Sequence, residues 1–211
     1  MSQTDMSNIL RDVSLCYSDA MSRWQPDAPL RLQQAAMELF LEKGYEGTTV
    51  EEIAQRAELT QRTFFRYFAD KREVLFYGTG AFEAAVVDGV RTGKAVDPLE
   101  RVVRTFETVA SEYFDSRAEA VRRRRDVIQS SPELQEREGQ KMGRIIEQAS
   151  AVLIEEGLEA TTARFAVELG VLVFRRAFAQ WAEAEGTTLA ATLRVTLGQL
   201  RGLTLTTPTA P

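Results

Sequence analysis

Residues 48–71, TTVEEIAQRAELTQRTFFRYFADK, constrain the fold more tightly than any other part of this chain. Val50, Ile53, Ala54 and Ala57 recur at the helical period, Thr49 stands just ahead of them, and Glu52 follows three residues later. In that capping-box pattern the Thr hydroxyl accepts from a first-turn amide and the Glu carboxylate accepts from the Thr amide. A short helix therefore starts at Val50 and ends at Ala57-Glu58-Leu59, which make a tight turn. Thr60 caps a second short helix, from Gln61 to about Phe68. At about 100° per residue, Phe64 and Phe68 share one face with Tyr67 at its edge, while Arg62 and Arg66 point the opposite way, flanked by Thr63 and Phe65. Gln61 lies nearer the packed side but in the exposed first turn. One face packs and the other is free.

The flanking sequence supplies what that apolar face needs. A helix is predicted from about Pro29 to Lys43, with Asp27 or Ala28 near its cap and Pro29 suited to the first turn. Leu32, Ala35, Ala36, Leu39 and Phe40 form its buried stripe, and Gly44 ends it. On the other side, Asp70 and Glu73 form a second capping box opening a helix to about Val90. Gly78 and Gly80 interrupt that helix and mark a point where it can pivot. Further helices are predicted from Pro98 to about Ser116 and from Arg117 to Ile128. The next starts at either Ser130 or Ser131 as N-cap and runs to about Glu156, closed by Gly157. The last two cover about Thr162 to Glu185 and Thr188 to Leu203. From Phe165 to Trp181 apolar residues occupy almost every side, and a helix apolar all round must be covered all round. No strand-period alternation or internal repeat interrupts the pattern, so the fold class is all-α.

Composition narrows the function. The chain has 211 residues, enough for a sizeable core, and no apolar run approaches the roughly 20 residues that cross a bilayer. The N-terminus lacks the basic start, apolar block and cleavage site of a secretory signal, and Met21 is an equally good start for the recognisable pattern. Cys16 is the only cysteine and there is no histidine, which removes an internal disulfide and the commonest general base and metal ligand. No catalytic residue, metal site or cofactor is expected, and the expected location is cytoplasmic, with no membrane partner. The net charge of −5 runs against a simple polyanion binder. Between Thr60 and Arg72, however, Arg62, Arg66, Lys71 and Arg72 face only Asp70, so the local balance is positive.

Two short helices separated by a tight turn form a helix-turn-helix, whose second helix enters the DNA major groove. Arg62 or Arg66 can donate to guanine, Gln61 can read adenine, and Thr63 or Phe65 can touch a thymine methyl. RLQQAAMELFLEKGYEGTTVEEIAQRAELTQRTFFRYFADKREVL closely resembles the N-terminal domain of TetR-family transcriptional regulators. The shared features are an Ala-rich first helix, a Gly-aromatic link, Thr-Thr before the second helix, Ile-Ala within it, and an aromatic-x-Tyr-Phe-x-x-Lys close. The resemblance covers about residues 31–75. It implies groove contacts from Gln61, Arg62, Thr63, Phe65 and Arg66, and phosphate contacts from Thr49, Tyr67 and Lys71. Two positions depart from the pattern: Glu58 replaces a frequent turn Gly, and Phe65 replaces a frequent Tyr.

The resemblance implies a small-molecule-responsive repressor acting as a homodimer on double-stranded DNA with a near-palindromic operator. Its alternative is an activator or an effector-independent regulator of the same fold. The domains expected are an N-terminal extension at 1–26 (a short helix or a mobile arm), a helix-turn-helix domain at 27–77, a ligand-binding and dimerisation domain at 78–203, and a disordered tail at 204–211. The two C-terminal helices would pair the subunits. Phe106, Tyr113, Phe114, Phe165, Phe174, Phe178 and Trp181 are the candidate pocket lining, although any one of them also suits plain core. Arg122 to Arg125 spread around a helix and read as a solvated face with local ion pairs. Gly78-Thr79-Gly80 lacks the preceding strand and third glycine of a nucleotide loop.

Overall fold

A computed structural model describes residues 28–95, 97–184 and 186–205. The N-terminal extension at 1–26, the Asp27 cap and the last residues of the tail lie outside them. Among the described residues the fold is all-α, and none of its helices is long and apolar enough to cross a membrane. The helices are α1 (Ala28–Lys43), α2 (Val50–Arg56), α3 (Gln61–Tyr67), α4 (Thr79–Thr92), α5 (Pro98–Tyr113), α6 (Ala118–Gln129), α7 (Pro132–Glu155), α8 (Ala160–Glu183) and α9 (Leu189–Leu205). Single 3₁₀ turns occupy Glu73–Phe76 and Asp115–Arg117.

The described residues divide into two compact units, those up to residue 80 with 117–140, and those of 81–116 with the rest from 141 on. The boundary expected after residue 77 lies close to the division at residue 80; grouping by contact also adds α6 and the start of α7 to the first unit. The reason is apolar: Val127, Ile128 and Leu134 join Leu32, Ala36, Phe40, Ile53, Phe64, Phe68 and Phe76 in one core. Ion pairs surround that core. Arg137 forms a two-pronged pair with Glu73 at 2.6 and 2.9 Å, and the guanidiniums of Arg124 and Arg137 lie 5.1 and 4.8 Å from the Phe76 ring centre. The basic run on α6 makes the local pairs expected, Arg123 with Glu119 and Arg125 with Asp126, but Arg124 instead turns to Glu138 on α7 and to the Phe76 ring.

The helix expected from the Asp70–Glu73 box is not continuous. Asp70 does accept from the Glu73 amide at 3.0 Å, but the Glu73 carboxylate turns to Arg137, so only half the box forms. Gly78 then takes φ +80°, outside the helical region, and α4 starts afresh at Thr79. Gly78 therefore marks a break between two elements, while Gly80 lies in the first turn of α4. The ambiguous start of α7 resolves to Ser131 as cap with Pro132 as first helical residue; the Ser131 carbonyl accepts from Gln135 at 3.1 Å. The final helix runs to Leu205, two residues into the predicted tail.

In the second unit α5, α8 and α9 pack on one another. A Cβ on Gly170 of α8 would sit 2.3 Å from Val102 Cγ1, so that glycine sets how closely α5 and α8 approach. Arg101 on α5 reaches both carboxylate oxygens of Glu156, at 2.6 and 2.8 Å, and the Arg91 carbonyl at 3.0 Å. Asp115 accepts from the first amide of α9, at Leu189, at 3.1 Å.

Candidate nucleic-acid interface

Local sequence positions α2 and α3 as anticipated. The Thr49 hydroxyl accepts from the Glu52 amide at 3.2 Å, and Glu52 Oε2 accepts from the Thr49 amide and hydroxyl, each at 2.8 Å. Lys43 adds an ion pair to the same carboxylate, and these contacts, Lys43 first, hold the Glu52 carboxyl down to about 2. Thr60 caps α3 by accepting from the Thr63 amide at 3.1 Å. Between them the chain turns through Glu58 at φ +54°, the only non-glycine with positive φ among the described residues. The departure noted in the sequence is thus a real conformational cost. A side chain in this left-handed region costs roughly 1–2 kcal/mol, and the Glu58 carboxylate recovers little, being 89% exposed and 3.5 Å from Arg31. Replacing Glu58 with Gly is expected to stabilise the chain by about 0.5–1 kcal/mol, after allowing for the extra freedom glycine gains on unfolding. Urea unfolding checks this as a higher midpoint at unchanged slope.

The two faces of α3 separate cleanly. Phe64 is fully buried and Phe68 nearly so, with ring centres 5.3 Å apart. Gln61, Arg62, Phe65, Arg66 and Tyr67 are exposed, Phe65 at 56%, and Thr63 is half-buried. Phe65, exposed between two exposed arginines, keeps one ring contact, an edge-to-face arrangement with Phe64 at 5.5 Å between ring centres. Arg66 donates to the Tyr67 hydroxyl at 2.8 Å, with its guanidinium 4.6 Å from that ring, so these two side chains move as a pair.

Thr49 and Lys71, the other two candidates, are less free than the sequence suggested. The Thr49 hydroxyl is engaged in its cap. The Lys71 ammonium donates to the carbonyls of Tyr45 at 2.7 Å and Thr48 at 3.0 Å, and lies 4.0 Å from the Tyr45 ring centre. Sequence reading missed Tyr45 and Thr48 as its partners; the Gly-aromatic link after α1 was the available signal. Tyr45 is buried, and that burial, with Glu133 beside it, pushes its phenol well above the usual range.

The candidate pocket residues divide. Phe106 stacks on Phe174 at 4.6 Å, Phe114 touches Phe174 and Phe178 at 6.1 and 5.7 Å, and Phe178 meets Trp181 at 5.7 Å. Tyr113 joins through Phe82 on α4, a residue outside the candidate set, which also contacts Phe114 and Phe174 at 5.6 and 5.9 Å. Phe165 is elsewhere, 58% exposed on α8. No group of side chains suited to a metal ion occurs among the described residues.

Residues 32–77 match the profile of bacterial regulatory proteins of the tetR family. The chain is 39% identical over 92 residues to the HTH-type transcriptional regulator TcmR of Streptomyces glaucescens, a match covering 43% of this chain and 41% of TcmR. Its fold resembles NalD of Pseudomonas aeruginosa, the secondary repressor of the MexAB-OprM multidrug efflux pump, at TM-score 0.57 and 20% identity over 83% of this chain and 95% of NalD. It also resembles the transcriptional regulator FadR of Bacillus subtilis in complex with stearoyl-CoA, at TM-score 0.53 and 20% identity over 81% and 96% of the two chains. The relationship to TcmR is confined to less than half of either chain, whereas the likeness of fold extends over both units. On these grounds residues 32–77 are similar to the N-terminal domain of bacterial regulatory proteins of the tetR family, and the described residues share the fold of NalD and FadR.

Proposed function

We propose that this chain is a homodimeric, sequence-specific DNA-binding repressor released by a small molecule. The observation that carries the reading is α3: a helix anchored by Phe64 and Phe68 presents Gln61, Arg62, Phe65 and Arg66 outward together. Arg62 and Arg66 suit guanine edges, Gln61 adenine, and Phe65 and Thr63 a thymine methyl. Tyr67 suits phosphate, which fixes position without reading sequence, whereas the Thr49 hydroxyl and amide are both committed to Glu52. Pairing of subunits is supported by the exposed apolar faces of the last two helices, Phe165, Leu169 and Leu172 on α8 and Val195 and Leu203 on α9. A two-fold pair of α3 helices calls for a near-palindromic operator.

Effector release is supported by the contiguous aromatic cluster from Phe82 to Trp181, apolar surface of the kind that small-molecule sites use. The stearoyl-CoA complex of the FadR neighbour supports the same reading. A ligand acts here only through its differential affinity for states with different α3 spacing. The direct ring-on-ring packing of the cluster favours a second reading, an effector-independent regulator of the same fold, activator or repressor.

Selection of bound duplexes from a random-sequence pool tests the proposal, with enrichment of a palindrome as the expected result. On the selected duplex, Arg62→Ala should cost about 1–3 kcal/mol per half-site and relax preference at one base pair. Binding to a mixed-sequence duplex should change much less. Equal losses on both duplexes would show that Arg62 does not read bases.

A further inference from the structure

Lys71 lies just beyond α3, yet its ammonium is bonded ahead of α2. Its carbonyl partners, Tyr45 and Thr48, precede it by 26 and 23 residues. Both partner residues are buried, and the loop between them is internally fixed: the Thr48 amide donates to the Tyr45 carbonyl at 3.3 Å, and the Thr48 hydroxyl donates to the Gly44 carbonyl at 2.8 Å. Gly44 itself takes φ +81° to make the turn out of α1. The Tyr45 ring closes the remaining side of the ammonium at 4.0 Å. Two carbonyls and a ring therefore contact the ammonium of this half-buried lysine, whereas Arg62 and Arg66 on α3 are exposed.

We propose that Lys71 is a positioning residue: a non-covalent clip that joins the chain ahead of α2 to the chain behind α3 and so fixes the two helices as one unit for DNA. The inference rests on the DNA-binding reading of α3 but assigns Lys71 a different task from a phosphate contact. An ammonium has three donors, and two are committed inside the protein. Hydrogen bonds from a charged donor to carbonyls are the stronger kind, and here they add a directional tie between segments that the shared core of Tyr45, Ile53, Phe64 and Phe68 holds by packing alone. Removing the cation should loosen both ends of the unit even when no DNA is present. A phosphate contact predicts the reverse, an undisturbed free protein and a lost electrostatic interaction.

The test compares wild type with Lys71→Met, which keeps most of the stem and removes the charge, in the full chain. Hydrogen exchange without DNA is expected to quicken by about tenfold or more at the amides of Thr48 and Ile53 ahead of and within α2, and of Phe68 behind α3. Affinity for the pool-selected duplex should fall by a similar factor at every salt concentration, with the slope of log affinity against log salt unchanged. Unaltered exchange together with a slope smaller by about 0.9 per protomer would overturn the clip, because that is the mark of one lost phosphate contact. If wild type binds neither the selected nor a mixed-sequence duplex while exchange in the variant still quickens, the clip stands and the DNA reading fails. Should Lys71→Met unfold at the assay temperature, Lys71→Gln, which retains a donor, is measured the same way.

Discussion

Replacing both Phe165 and Leu172 with Glu is expected to leave a folded monomer whose affinity for the selected operator is lower by about 10²–10⁴-fold. Together with Leu169, these residues lie at i, i+4 and i+7 on α8, so they form one stripe, 58%, 37% and 55% exposed. The opposite stripe of the same helix, with Ala163, Val167, Gly170, Phe174, Ala177 and Trp181, is buried within the second unit. Charges on the exposed stripe therefore leave the core intact, whereas in a two-fold interface each carboxylate would be buried facing apolar surface. The size of the loss follows from linkage: in a dimer the second half-site binds at an effective concentration near millimolar, and that advantage is worth about 10²–10⁴ in avidity. Sedimentation velocity and operator titration measure the two halves of the claim. A variant that still sediments as a dimer and binds as wild type would place the interface elsewhere.

That stripe shows what the sequence could and could not convey. The crowding of apolar residues between Phe165 and Trp181 exceeded what one helix face can bury, and so signalled that something must cover the second face. It did not show which residues belong to which face, and Phe165 was grouped with the pocket candidates because an aromatic residue reads the same in either setting. The N-terminal unit was more legible because its signals are local. Caps at Thr49 and Thr60 and the Phe64–Phe68 spacing act within one or two turns, and the structure forms each as read. Where a local signal competed with a distant partner, the distant partner decided. Glu73 left its capping box for Arg137, 64 residues away, and Lys71 turned inward to carbonyls on the far side of α2 and α3. The assignment of α6 and the start of α7 to the first unit was equally invisible, since Val127, Ile128 and Leu134 look like any other core residues until their neighbours are known.

Phe64→Ala is expected to destabilise the first unit by about 3–5 kcal/mol, the range for truncating a fully buried aromatic residue. Phe64 has no exposed surface and stands in the core with Leu32, Ile53 and Phe68, directly beneath the face that Arg62 and Arg66 present. Set against a typical total of about 5–15 kcal/mol, such a loss raises the opened fraction of the unit by about 10²–10⁴-fold. Hydrogen exchange at the α1–α3 amides should register it, and binding to operator and mixed-sequence duplexes should fall together. Arg62→Ala supplies the contrast on the same helix: stability within about 0.5 kcal/mol of wild type, as for most exposed substitutions, with operator affinity alone reduced. The two variants differ by only two positions, or about 200° around α3, so the pair reports which side of the helix packs and which side reads. If Phe64→Ala leaves stability within about 0.5 kcal/mol, α3 is seated differently on α1 and α2, and the outward set from Gln61 to Arg66 must be redrawn with it.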